Sequence, residues 1–294
     1  MHDQIRKIQA LMEGALYVTD PAIATAIHLA LTLEKPLLVE GHAGVGKTEI
    51  AKVLARVLDT NLIRLQCYEG LDASTALYEW NYPKQLLRIK LEEREARSVT
   101  DKEADIFSEP FLLRRPLLQA ITQDGRPPVL LVDEVDRSDL EFESFLLEVL
   151  SDFQVTIPEI GTIRATRRPP VVLTSNRSRD LSDALRRRCL YLWIDYPSFE
   201  KEVRILETKV PGINGRLAGQ ITRLVQGLRR MKLAKVPGVA ESLDWAAALV
   251  ALHADRLDPD LVRQTLGCVL KEVEDVKRIE ADLGGGRLSE LLEG

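Results

Sequence analysis

Residues 36–48, Pro36-Leu-Leu-Val-Glu-Gly-His-Ala-Gly-Val-Gly-Lys-Thr48, decide how this chain is read. Pro36–Glu40 is a short apolar run of buried-strand type. Gly41-His-Ala-Gly-Val-Gly-Lys-Thr48 after it matches G-x-x-x-x-G-K-[ST]. A helix is expected over 47–58, with Ile50, Val53, Leu54 and Val57 inward. Strand, glycine loop and helix in that order form an anion nest. Gly41, Gly44 and Gly46 let the backbone close round phosphates, and the loop amides, those of His42, Ala43 and Val45 included, point at them with the helix N-terminus. Lys47 would then reach the β- and γ-phosphates, and the Thr48 hydroxyl would ligate Mg2+.

Working outward, Val129–Asp133 is another buried-strand run, and it ends in Asp133-Glu134, 85 residues after Thr48. Asp133 can hold Mg2+ through its water shell, and Glu134 is placed to polarise an attacking water as general base. An acidic strand-to-helix turn is the plain alternative; a phosphate loop in the same chain favours the catalytic one. Ser175-Asn176 closes the run that begins at Val171. Asn176 can orient the lytic water, or simply start a loop. Arg186-Arg187-Arg188 concentrates like charge before Leu190–Ile194. It is either a solvated basic turn or the source of an arginine finger for a neighbouring subunit's γ-phosphate.

The first two-thirds of the chain alternates strand-like and helix-like segments, the pattern of an α/β fold with a parallel sheet flanked by helices. Asp20 and Pro21 start a helix with Ile23, Ile27, Ala30 and Leu31 on its apolar face. Leu62–Gln66 reads as a strand. Ser138 and Glu141 stand in capping-box spacing before Phe142, Phe145, Leu146, Val149 and Leu150, which recur at helical period. Phe153–Ile157 and Thr162–Thr166 flank Pro158–Gly161 as a hairpin. Segment 83–105, rich in Lys, Arg and Glu, reads as one solvated helix at a place where some P-loop ATPases carry a helical insertion. After Tyr196–Pro197 the strand pattern stops, and helices are expected near 199–209, 214–232, 241–255 and 259–281. The expected division is a nucleotide-binding α/β domain over 1–196 and a helical lid over 197–294, ending in a flexible Gly-led tail, GGGRLSELLEG.

Hydrophobic residues at 45% and charged residues at 29% suit a globular protein, and a net charge of −5 argues against a general nucleic-acid binder that neutralises phosphates. No apolar run approaches the roughly 20 residues of a membrane span. The N-terminus carries no signal-peptide core, so a cytoplasmic protein is expected. Cys67, Cys189 and Cys268 lack metal-ligand spacing and are expected to be free thiols.

Taken in order, GHAGVGKT, LLVDEVDRSDLEFESFLLEVLSDFQVTIP and LTSNRSRDLSDALRRRCLYLWIDYP resemble the AAA+ superfamily, and within it the MoxR family, over roughly residues 10–255. RLQCYEGLDASTALYEWNYPKQLL and VAESLDWAAALVAL carry a narrower likeness to the CoxD-type ATPases associated with carbon monoxide dehydrogenase maturation. The resemblance implies a P-loop core with a C-terminal all-helical lid, ATP and Mg2+ as cofactors, and a hexameric ring with ATP at subunit interfaces. It also implies a partner with a von Willebrand factor A domain and a protein client, here a molybdenum-containing hydroxylase. By motif, Asn176 takes the sensor-1 role, Arg188 that of the finger, and Gln66 that of a polar switch restraining Glu134. Arg137 acts across an interface or in a local salt bridge. The family's sensor-2 arginine is missing from Glu241-Ser-Leu-Asp244-Trp245, and Trp245 reads as core. A nucleotide-gated scaffold with little turnover and a nucleic-acid motor are the rival readings; Glu134 and the acidic balance, respectively, weigh against them.

Overall fold

Five strands of five residues each form the sheet that organises the chain. The computed structural model describes residues 2–92 and 98–284. In chain order its elements are α1 (His2–Gly14), α2 (Pro21–Leu33), β1 (Leu37–Gly41), α3 (Lys47–Val57), β2 (Leu62–Gln66), α4 (Ala73–Ala76), β3 (Tyr78–Trp80), α5 (Tyr82–Leu91), α6 (Val99–Ile106), β4 (Leu112–Arg114), α7 (Pro116–Thr122), β5 (Val129–Asp133) and α8 (Leu140–Asp152). They continue with β6 (Gln154–Ile157), β7 (Gly161–Arg164), β8 (Val171–Ser175), α9 (Asp183–Arg188), β9 (Leu190–Ile194), α10 (Phe199–Lys209), α11 (Gly215–Arg229), α12 (Val239–Ala251), α13 (Pro259–Val269) and α14 (Val273–Gly284).

The sheet runs β2-β5-β8-β1-β9, and the β2/β5, β5/β8 and β8/β1 pairs are parallel. β1, β5 and β8 are buried along their whole length, as parallel strands covered on both faces must be. This is the α/β architecture the alternating pattern implies. Short antiparallel ladders join β3 to β4 and β6 to β7, the second being the expected hairpin.

The chain divides into two compact units. One comprises Met1–Arg6, Pro21–Glu40 and Thr48–Leu192; the other comprises Lys7–Asp20, Gly41–Lys47 and Trp193–Gly294. The first has its own core, with Leu130 and Val132 of β5, Leu173 of β8 and Leu146 of α8 in it. The second packs Leu217, Ile221 and Leu224 of α11 against Trp245, Leu249, Val262 and Ile279. Trp245 is fully buried and donates to Thr265 Oγ1 at 2.8 Å, which satisfies its indole N–H and makes it a core residue, as its sequence suggests.

Three local expectations are corrected. α8 starts one residue later than the capping-box spacing implies: Asp139 accepts from the Phe142 amide at 2.8 Å, while the Ser138 hydroxyl donates to the Val135 carbonyl. Within the charged 83–105 segment the described residues form two helices, α5 and α6. α6 has its own N-cap, Ser98, and α5 buries Gln85, whose amide donates to the Ile106 carbonyl at 2.7 Å, while Leu86, Leu87 and Leu91 are exposed. The last helical stretch also splits, because Leu270 turns out of helical geometry (φ −100, ψ 132) into the second core. Residues 93–97 and the tail 285–294 lie outside the described residues. No helix among the described residues is long and apolar enough to cross a membrane.

Candidate functional site

In the loop Gly41–Lys47, conformation is set by the main chain. Gly44 and Gly46 sit at φ +74 and +92, a region that strains any residue with a Cβ. At Gly41 a Cβ would stand 2.1 Å from the Ile194 carbonyl oxygen, so only glycine allows that approach. The Lys47 ammonium donates to the carbonyls of Gly41 (2.8 Å) and His42 (2.6 Å) and is 7% exposed. The Gly44 carbonyl accepts from the Ala240 amide at 3.0 Å, and Ala43 and Gly44 leave no room for a side chain at Gly238. His42 stacks on Tyr196 at 4.5 Å, with Val45 and Gly46 completing the turn into α3. The start of α12, where a sensor-2 arginine is sought, carries Glu241, whose carboxylate caps the Gly238 amide at 2.9 Å. Arg229, the buried arginine of α11, is bound bidentately by Glu202 (2.6 and 2.7 Å) and lies over the Tyr196 ring.

At the C-terminal end of β5, side chains do the organising. Asp133 is buried. Its Oδ1 accepts from the hydroxyls of Thr48 (3.0 Å) and Thr174 (2.5 Å), and its Oδ2 from Nε (3.0 Å) and Nη2 (2.5 Å) of Arg64. Glu134 stands in left-handed geometry (φ 54), and its amide donates to Thr174 Oγ1 at 2.9 Å. A non-glycine residue held there stores roughly 1–3 kcal/mol of strain, a recurrent feature of functional sites. Its carboxylate accepts from Gln66 Nε2 (3.1 Å) and Asn176 Nδ2 (3.4 Å) and pairs with Arg137 Nε (3.1 Å). The structure therefore brings Thr48, Gln66, Asp133, Glu134, Arg137 and Asn176 together. The oxygens of Thr48 and Asp133, in direct contact, fit Mg2+, which is generally held by one or two protein oxygens together with phosphates and water.

Asn176 is held by a residue the sequence reading passed over. Buried Asp136 accepts from the amides of Asn176 (3.2 Å) and Ser178 (2.8 Å) and from the Ser178 hydroxyl (2.7 Å). Arg64 in the middle of β2, Thr174 next to last in β8 and Asp136 in the turn after β5 carry weak sequence signals, single polar residues in or just after strands. The arginine triplet lies on the last turn of α9, not in a loop. Arg186 is drawn to buried Glu40 and to Asp180 (3.6 Å each), whereas Arg187 and Arg188 are exposed, with Arg188 Nη1 near the Ala184 carbonyl at 3.3 Å. The three cysteines are free thiols. Burial, reinforced by Asp133, Asp136 and Glu134, pushes the Cys67 thiol up to about 12, and burial alone does the same at Cys189.

The chain is 24% identical over 234 residues, 76% of its own length and 78% of the other's, to the denitrification regulatory protein NirQ of Pseudomonas aeruginosa. Among solved structures it is similar to the Thermotoga maritima RuvB Holliday junction branch migration motor, at 20% identity and a TM-score of 0.46 over 88% of this chain and 68% of that one. The model of the ATPase family associated with various cellular activities (AAA) matches residues 37–192, more than half of the chain and the whole span from β1 to β9's third residue, so the chain belongs to the AAA family and is an ATPase that works on ATP with Mg2+.

Proposed function

We propose that this is a MoxR-type AAA+ ATPase, of the CoxD kind, that couples ATP hydrolysis in a homo-oligomeric, hexameric ring to the maturation of a protein client. One observation carries the catalytic part: the Glu134 carboxylate, beside buried Asp133 at the end of β5, is held by three side chains from separate segments, Gln66, Arg137 and Asn176. A general base must be aimed at its water, and such a set of contacts can restrain and then aim it. In this reading the amides of residues 41–47 and the Lys47 ammonium bind the phosphates, and Lys47 exchanges the carbonyls of Gly41 and His42 for phosphate oxygens. Thr48 and Asp133 would hold Mg2+, which would supply positive charge beside the phosphates. Glu134 takes a proton from the attacking water, and Asn176 orients that water. Arg188, exposed at the end of α9, reaches the γ-phosphate of a neighbouring subunit. Residues 1–196 act as the nucleotide-binding domain and 197–294 as its lid, and the work is cytoplasmic.

The client part rests on the MoxR and CoxD resemblance, and the likeness to a denitrification regulatory protein supports a role in the service of another enzyme. The partner is a protein with a von Willebrand factor A domain, and the client is a molybdenum-containing hydroxylase. Phosphate release by the assembled protein tests the enzyme, and a scaffold would show negligible turnover. A deletion strain tests the client: the hydroxylase should be made but lack its metal centre, and normal cofactor content there removes this client.

A further inference from the structure

Arg64 and Gln66 are two residues apart on β2, so their side chains share a face, and in the β2/β5 register Gln66 lies opposite Asp133. Arg64 places Nε (3.0 Å) and Nη2 (2.5 Å) on one Asp133 oxygen, Oδ2, and the same Nη2 donates to Gln66 Oε1. Gln66 turns its amide nitrogen to Glu134 Oε2 at 3.1 Å. The four residues form a continuous chain from Asp133 through Arg64 and Gln66 to Glu134. Oδ1 of Asp133 is occupied by two hydroxyls, and Arg64 brings a cation to Oδ2 of this buried carboxylate. A buried charge left unpaired is strongly destabilising, which explains why a cation stands there. The two partners differ in freedom: the Asp133 side chain is 3% exposed, while that of Arg64 is 51% exposed and has solvent to move into.

We propose that Arg64 is a positioning residue that stands on Asp133 in place of the metal's charge and, through Gln66, keeps Glu134 restrained until Mg2+ displaces it. The inference rests on the assignment of Asp133 to Mg2+ and of Glu134 to the base. A divalent cation held beside Thr48 and Asp133 would stand close to the Arg64 guanidinium and compete with it for the Asp133 carboxylate, so Arg64 would give way as Mg2+ is held. Gln66 then loses the donor that fixes its amide, and its hold on Glu134 loosens. Metal loading and release of the base become one event.

The experiment is the affinity of the full-length protein for a fluorescent ADP analogue with MgCl2 and with EDTA, read by anisotropy. The quantity is the ratio of the two dissociation constants. In Arg64→Met, Mg2+ no longer competes with an ion pair, so the ratio should grow by about three- to tenfold, the range for a half-exposed charge-assisted pair. Arg64→Gln should show the same change and covers a Met variant that fails to fold. Arg64→Lys keeps the charge and should restore the wild-type ratio. The nucleotide-free melting temperature gives a second readout: MgCl2 alone should raise it in Arg64→Met more than in wild type. An unchanged ratio overturns the proposal. So does equal loss of affinity with and without Mg2+, which would make Arg64 a phosphate ligand. Asp133→Asn separates this from the underlying reading: if that variant keeps the full magnesium dependence of wild type, the metal assignment itself fails.

Discussion

The loop Gly41–Lys47 and the strand end Asp133–Glu134 both hold charge, and they do so by different means. Lys47 is held by two carbonyls of its own loop, and the shape of that loop depends on glycines with no side chain to offer. Asp133 and Glu134 are held by side chains that arrive from β2, α3, β8 and the turns after β5 and β8. A main-chain site depends on backbone shape, so the positions outside it that matter are those, such as Gly238, where a side chain would press on the loop. A side-chain site is distributed, and changes some seventy residues away in sequence reach it.

The largest test of that contrast is Lys47→Ala. Nucleotide binding should be lost while the melting temperature stays close to wild type, since the Lys47 ammonium bonds the Gly41 and His42 carbonyls of its own loop and lies outside both hydrophobic cores. Isothermal titration beside thermal melting reads both, and retained affinity would show that the loop does not bind phosphate. Arg188→Ala should keep ATP binding and lose about a thousandfold in turnover, as for a finger acting on a neighbour's phosphate. Mixing it with Lys47→Ala subunits should recover some activity. Arg186→Ala should instead lower stability, because Arg186 faces buried Glu40.

Glu134→Gln should bind ATP normally and hydrolyse it about a hundredfold slower or worse, since the amide cannot accept the proton. Normal single-turnover rates would move the base elsewhere. Asp136→Asn sharpens the contrast without touching a proposed ligand. Its carboxylate collects three donors that fix residues 176–178, so the variant should lose about 1–3 kcal/mol of stability by chemical denaturation and part of its turnover. A silent Asp136→Asn would mean that the distributed side is less interdependent than drawn.

The smallest effect concerns the thiols. With the Cys67 and Cys189 thiols raised from 9.0 to about 12, both stay protonated at pH 8, and a disulfide reagent should modify them only slowly until the protein is denatured. A pKa raised on folding contributes stability that is present below 9 and lost as pH climbs towards 12. Melting temperatures across that window should therefore fall, and less so in a Cys67→Ala, Cys189→Ala double variant.

The same contrast explains what could be read beforehand. The phosphate loop is legible because backbone chemistry leaves a fixed spacing of glycines, and β1, β5 and β8 are legible because buried parallel strands are short apolar runs. Arg64, Thr174 and Asp136 are not legible in the sequence: each gains its meaning from a neighbour distant in sequence, and a single polar residue in or just after a strand is ordinary. The start of α8 was misplaced by one residue because Ser138 and Asp139 are both competent caps, and the choice between them follows from the tight turn at Val135–Arg137. The charged 83–105 segment read as one helix because helical period does not reveal a break that Ser98 makes by capping a new start.

Trp245 gives the second unit a built-in optical probe. Its indole is fully buried with its N–H bonded to Thr265, whereas Trp80 sits in the first core and Trp193 is 39% exposed. With Trp80 and Trp193 replaced by phenylalanine, the emission maximum would follow the melting of the helical core alone. Two independent melting curves, one from fluorescence and one from ATP turnover, would then show whether this molecule loses its helices before it loses its catalysis.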